Sequence, residues 1–472
     1  MRILRQVDST NACRFTLTLL TVLMLIILLA SCGGGSSSQP LAQNNATVQV
    51  NVGDAPSDRL VAFAMTINSM TFTNSGGASV SVMSSAATME LTHLMGTMQP
   101  VSLMKIPQGT YTDATINLSS MGIVYMNPST GQMVQQTITG PITAKVNFPS
   151  TMTLGSGPMV ANFDLDMANS VAIDNMGNMT FTPMFHVSMQ QGGSSGNIPY
   201  NGGMQHMMGA VASAAASSFS FSMMESTGPM TIATNSSTQF SGMSGMGMMS
   251  NNQLLAVDAV MQPDGTMMAT EIEDMMTSGG AMAMGLVTSL TGNPVSKLNL
   301  VAHDVSGGGM MSSNLAGVMT VSIGTGTSFS IDSDNVDMSN LPFAPTFDST
   351  MISKGQFVDA DSNSGMMSGG MGGGMMGGGT LTATDLRLEE QGFSGTVSGY
   401  VANGSQATFT LTLPSGSAFT TLTGTNSITV FQQAGTQLMS LTSVGNGNSV
   451  HVRGLLFLDA GAYKLVANRI MP

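Results

Sequence analysis

Sulfur is the most abundant potential ligand in this chain: 48 of its 472 residues are Met, against 5 His and 2 Cys. The methionines are clustered, with 17 in residues 204–284 and 2 in residues 377–472. Two Gly-rich runs are the densest. One carries Met243, Met246, Met248 and Met249; the other carries Met366, Met367, Met371, Met375 and Met376. Thioethers suit Cu(I), and His206, in Met204-Gln205-His206-Met207-Met208, adds a borderline ligand. Exposed thioethers can also take up oxidant reversibly as sulfoxide. The plainest reading is low-complexity loops in which Met is a flexible filler, with no cofactor. The Gly content predicts that both runs are exposed loops between strands.

Other chemistry is thin. His93, His186, His206, His303 and His451 are scattered, with no His-x-x-x-His pair and no Ser-nucleophile motif beside them. No Gly-x-x-x-x-Gly-Lys phosphate loop occurs. Asp164-Leu165-Asp166 places two carboxylates on one face of an extended strand. Asp359-Ala360-Asp361-Ser362-Asn363 begins like a calcium loop, but Ser364 and Gly370 stand where that loop needs Gly and Glu. With Asp332–Asp337, these acidic stretches read as turn and hairpin chemistry. The formal net charge of −13 argues against nucleic-acid binding. The expectation is a non-enzymatic structural or interaction module with an envelope protein or carbohydrate partner. Soft-metal binding or oxidant scavenging by the Met loops is the alternative, and an enzyme of unknown type comes third.

The N-terminus reads as an address. Arg2, Arg5 and Arg14 precede the apolar run 15–30, the pattern of a secretory signal. Leu29-Ala30-Ser31-Cys32 resembles the bacterial lipobox, in which cleavage before Cys exposes it for acylation. Gly33, not Asp, follows; the resemblance therefore implies sorting to the outer membrane, on its periplasmic or surface face. Residues 1–31 are then a signal peptide, Cys32 the membrane anchor, and residues 32–45 a Gly/Ser tether. Cys13 leaves with the signal, so the mature chain keeps no free thiol and no disulfide.

These features must be positioned by an all-β chain. Polar–apolar alternation in residues 47–52, 114–118 and 142–148 predicts antiparallel strands with one wet face. Only the Ala/Ser-rich stretch 210–218 has the composition of a short helix. Residues 46–190 are expected to form a β-sandwich. Gly53-Asp54-Ala55-Pro56, the segment Leu103–Tyr111 with its Pro107-x-Gly109-x-Tyr111, Asn162–Asp166 and Phe181-Thr182-Pro183 resemble a family of uncharacterised domains in exported bacterial and archaeal lipoproteins. The Pro-x-Gly-x-Tyr piece is also similar to turns of immunoglobulin- and transthyretin-like sandwiches. After a Gly/Met linker, 191–207, three segments share one plan: 208–276, 281–391 with the Met/Gly loop 365–379, and 392–472. Each opens with Gly-x-Val at Gly209, Gly285 or Gly395 and has a central strand closing on Phe240, Phe329 or Phe431. Late strands begin at Leu255, Gln356 and Val450, and Gly265–Ile272 aligns with Gly379–Leu386. They resemble another uncharacterised exported family and read as three small β-barrel repeats, with a closing hairpin like that of OB-type barrels.

Overall fold

Strands built on alternating side chains dominate the computed structural model. It describes residues 44–472 except 56–58, 93, 95–97, 128, 175, 194–201, 224–227, 276–279, 308–309, 312–316, 334–335, 365–378 and 439–440. The expected signal peptide, Cys32 and nearly all of the expected tether lie outside the described residues, as do Met366, Met367, Met371, Met375 and Met376. Among the described residues no helix is long and apolar enough to cross a membrane.

Two sheets share the first core. One is β12 (Phe185–Gln191), β9 (Met159–Asp166), β1 (Asn45–Ala55) and β5 (Met98–Pro107), in that order. The other joins β2 (Leu60–Asn74), β3 (Ser79–Ser81), β4 (Ala87–Glu90), β6 (Gly109–Met126), β7 (Met133–Ile138) and β8 (Ile142–Leu154). Alternation explains the faces: in β8, Ala144, Val146 and Phe148 turn inward while Lys145 and Asn147 meet water. Phe72 of β2 stands edge-on to Phe148 at 5.4 Å and meets Phe163 of the opposite sheet at 6.0 Å, so aromatic contacts close the sandwich. The Tyr111 hydroxyl donates to the Pro107 carbonyl at 2.8 Å and fixes the turn of the Pro-x-Gly-x-Tyr piece. One departure from an antiparallel sandwich is that β1 and β9 run parallel. A small hairpin, β10 (Val171–Ile173) with β11 (Met179–Phe181), follows the short helix α1 (Met167–Ser170).

Three five-stranded barrels follow. The first is β13 (Met204–Ala214), β14 (Ser218–Met223), β15 (Met230–Ala233) with β16 (Gln239–Ser241), β17 (Leu254–Met261) and β18 (Met267–Asp274). The second is β19 (Ala281–Gly292), β20 (Val295–Gly307) with the short β21 (Met310–Met311), β22 (Val318–Ile331), β23 (Phe357–Ser362) and β24 (Gly379–Leu388). The third is β25 (Glu390–Asn403), β26 (Gln406–Thr412), β27 (Ser427–Leu438), β28 (Ser449–Asp459) and β29 (Ala462–Met471), with helix α2 (Ala418–Thr423) between β26 and β27. Each closes in the order first, second, third, fifth, fourth, with third and fifth strands parallel. The first barrel therefore begins at Met204, inside the expected linker 191–207. The Ala/Ser-rich stretch after Gly209 finishes β13 and turns into β14; it is not a helix.

The three opening glycines are equivalent. A Cβ on Gly209, Gly285 or Gly395 would stand 2.5, 2.1 or 2.5 Å from a carbonyl oxygen of the neighbouring second strand. Only glycine lets the first strand bend that closely. A second equivalence was hidden from the sequence. Where the third strand breaks its register with the fifth, a Thr hydroxyl fills the gap. Thr238, Thr327 and Thr436 donate to the carbonyls of Ala269, Ala383 and Ala467 at 2.8, 2.7 and 2.7 Å. Each hydroxyl also accepts from the backbone N–H three residues earlier, at Asn235, Gly324 and Gln433. Replacing any one by Val strands both backbone groups. We expect a loss of about 1–3 kcal/mol at each site, with Ser at the same position costing less, read from urea unfolding midpoints.

This latch corrects the repeat alignment. Phe240 and Phe329 face Ile272 and Leu386 of the fifth strand, but in the third barrel Leu438, facing Ile470, holds that place and not Phe431. Leu255 and Val450 pair with the opening glycines, and in the second barrel Val358 does so. Asp258 is thus matched by Asp361, two residues beyond the Asp359 expected from the sequence.

Residues 45–472 form one compact unit. Apolar contacts run along its seams. Val61, Ala62 and Val124 of the sandwich pack with Val301 of the second barrel and Ala418 of α2. Met208 and Met275 meet Met282, Met284 and Phe357 between the first two barrels. Leu455, Phe457 and Val466 of the third barrel enter the core of the second.

Candidate functional site

The methionines are where the structure departs most from expectation. Ten of the 17 in residues 204–284 are buried, in the core of the first barrel or in its seam with the second. The segment 242–253 folds over one end of the first barrel. Met243 (8% exposed) enters its core, Met246 and Met249 pack against that core, and Met248 alone faces water at 60% exposure. The expectation that this run is exposed is thus corrected. Despite its glycines it is the barrel's plug, the place taken by Val336, Phe347 and Ile352 in the second barrel and Val444 in the third. Flexible thioethers suit an irregular barrel end. Met243→Ala is expected to cost about 2–5 kcal/mol and Met248→Ala almost nothing, measured by thermal unfolding. The side chain of His206 lies outside the described residues, although its backbone belongs to β13.

The titratable residues are separated. His186 on β12 meets Asp166 of β9 at 3.2 Å; Asp166 also accepts from the Asn169 backbone at the start of α1. Burial alone would raise the Asp166 pKa, but the bonds from Asn169 and His186 bring it below the ordinary value. His451 accepts or donates a 2.7 Å bond with Ser394, its cross-strand neighbour, and burial lowers its pKa. Asp359 and Asp361 lie within strand β23, not in a calcium loop. Among the described residues no group of three or more His, Cys, Asp or Glu is placed to hold a metal ion.

Two buried polar constellations escaped the sequence reading. The first joins sandwich to second barrel. Glu90 at the end of β4 is fully buried, and His303 on β20 is 3% exposed. The Glu90 Oε1 accepts from the Phe63 N–H at 2.6 Å, the Thr92 N–H at 3.1 Å and the Thr92 hydroxyl at 2.6 Å. Its Oε2 accepts from His303 Nδ1 at 2.7 Å. Phe357 stands edge-on to the imidazole at 5.0 Å. A single carboxylate between Met89 and Leu91 was the available signal. The second centres on Arg387 of β24, which reaches Glu389 at 2.7 Å, Asp359 at 3.4 Å and Glu273 of the first barrel at 3.5 Å. Burial pulls the Arg387 pKa down, but these three carboxylates more than offset it and hold it above the ordinary value. Burial and then Asp359 push Asp361 up to about 8, and burial holds Glu389 well above the usual carboxylate range.

His303 also lines a cleft where sandwich, second barrel and third barrel meet. Leu60 and Val61, Leu286 and Phe357, and Phe393 with Phe419 form its walls; Thr92, Glu390, Gln391 and Ser417 add polar groups. Its volume is about 70 Å3, room for a few waters.

Fold and site define an all-β protein in which a two-sheet sandwich is fused to three barrels of OB type. Residues 45–183 match the model of a domain of unknown function, DUF4382, and residues 208–273, nearly the whole first barrel, match that of a second, DUF5666. No curated protein matches the chain.

Proposed function

We propose that this chain is an acylated envelope lipoprotein, anchored at Cys32 and held off the outer membrane by residues 32–45, whose barrels bind a neutral carbohydrate and do not transform it. The observation that carries the reading is the repeated barrel. OB-type barrels use the face of their second and third strands and the adjoining loops to hold oligosaccharides or oligonucleotides. A net charge of −13 disfavours the polyanion. A hydroxyl–amide pair on the second and third strands of the second barrel suits sugar contact: Thr320 of β22 donates to Asn299 of β20 at 2.9 Å. Apolar seams fix the four lobes together, so several faces are presented with little ordering cost. The mature protein is expected to be retained on immobilised neutral envelope polysaccharide, to pass over DNA, and to release no shortened glycan. Retention on DNA, capture only by envelope protein, or release of cleaved sugar would each overturn the carbohydrate reading.

A further inference from the structure

We infer that the methionine plug of the first barrel is an oxidation site, at which peroxide converts Met248 and then Met246 and Met249 to sulfoxides and so opens that end of the barrel. Four thioethers share one short segment at graded depth. Met248 stands at the surface, Met246 and Met249 are half-buried, and Met243 lies in the core. The other two barrels close their ends with hydrocarbon: Val336, Phe347 and Ile352, with Met338 at the margin, in the second, and Val444 in the third. Peroxide attacks sulfur and leaves such side chains alone, so the chemistry concentrates on the first barrel. This inference is independent of any carbohydrate held elsewhere.

The reaction is a two-electron transfer of oxygen. The thioether sulfur attacks one oxygen of hydrogen peroxide and the O–O bond breaks. The departing hydroxide takes the remaining proton and leaves as water; sulfur is oxidised and peroxide reduced. Depth decides the consequence. At Met248 the Ser244 hydroxyl donates to the sulfur at 3.1 Å. A sulfoxide oxygen accepts such a bond better than a sulfide, so this first oxidation fits the closed plug. Met246 and Met249 pack against a core that includes Phe221, Leu255 and Val257. A sulfoxide there is a polar group in apolar surroundings and must turn out to water. The backbone at this point is tied locally, Met248 N–H to the Gly245 carbonyl and Met249 N–H to the Met246 carbonyl, both at 3.1 Å. Thioether packing therefore fastens the turn to the barrel, and oxidation undoes it.

The test is a hydrogen peroxide dose series on the purified chain, read by peptide mapping and by deuterium exchange. Sulfoxide should form at Met248 first, then at Met246 and Met249, and last at Met243 and the core residues Met230 and Met267. Exchange over residues 242–253 should stay unchanged while Met248 alone is oxidised. It should rise about tenfold or more once Met246 and Met249 follow, and methionine sulfoxide reductases should reverse the rise. The variant Met243→Leu/Met246→Leu/Met249→Leu keeps the apolar volume without the sulfur and should show no rise. Core methionines oxidised as early as Met246 and Met249 would overturn the proposal. So would unchanged exchange after both are oxidised, or an equal rise in the Leu variant. The wild-type dose series decides the matter even if the variant folds poorly.

Discussion

Replacing Arg387 by Met is expected to cost about 3–5 kcal/mol at pH 8, and clearly less at pH 5. Arg387 pairs with Glu389, Asp359 and Glu273 at once. Without it, buried carboxylates face one another in a medium that screens them poorly. Acid relieves the variant because the carboxylates can take up protons. The same groups give the wild type a pH dependence of defined sign. Asp361 is pushed up to about 8, first by burial and then by Asp359, whereas an unfolded Asp titrates near 3.9. The folded state therefore holds a proton that the unfolded chain has released between those values. That stability is fully present below about pH 4 and is lost as pH rises through about 8. Asp361→Asn should flatten the decline and raise stability at pH 9 by something on the order of 2–5 kcal/mol. Urea unfolding midpoints between pH 4 and 9 check both variants; a variant curve parallel to the wild type would contradict the assignment.

Replacing Glu90 by Leu is expected to cost a similar 3–5 kcal/mol. The carboxylate satisfies two backbone N–H groups, the Thr92 hydroxyl and His303 at once. Leu leaves those donors buried beside an apolar side chain. His303→Leu should also be strongly destabilising, since it leaves the carboxylate without its charged or polar partner across the seam. The double variant should cost less than the two single losses together, by about 0.5–3 kcal/mol. Strict additivity would show that the pair does not join the sandwich to the second barrel energetically.

Much of the fold was legible because a strand period of two is hard to disguise. Val48, Val50 and Val52, or Phe219 and Phe221, point inward as their alternation requires. The three barrels could be found from Gly209, Gly285 and Gly395. Register was harder to read. A slide of two residues keeps every side chain on its own face, so Asp359 and Asp361 were indistinguishable as partners of Asp258. The Thr238, Thr327 and Thr436 latch was invisible because its contacts join strands far apart in sequence. Met243 shows a different limit: glycine-rich composition identified an irregular segment correctly, but composition does not say whether that segment lies over a barrel end. The cleft was hidden for a related reason. Its walls come from three lobes, and neither Gln391 nor His303 carries a local motif.

Anchoring at Cys32 would fix where the proposed binding takes place. Metabolic labelling with radioactive palmitate, comparing the wild type with Cys32→Ala, tests this directly. Label is expected in the wild-type envelope fraction and none in the variant. Equal labelling of the two, or an unlabelled wild type, would contradict it.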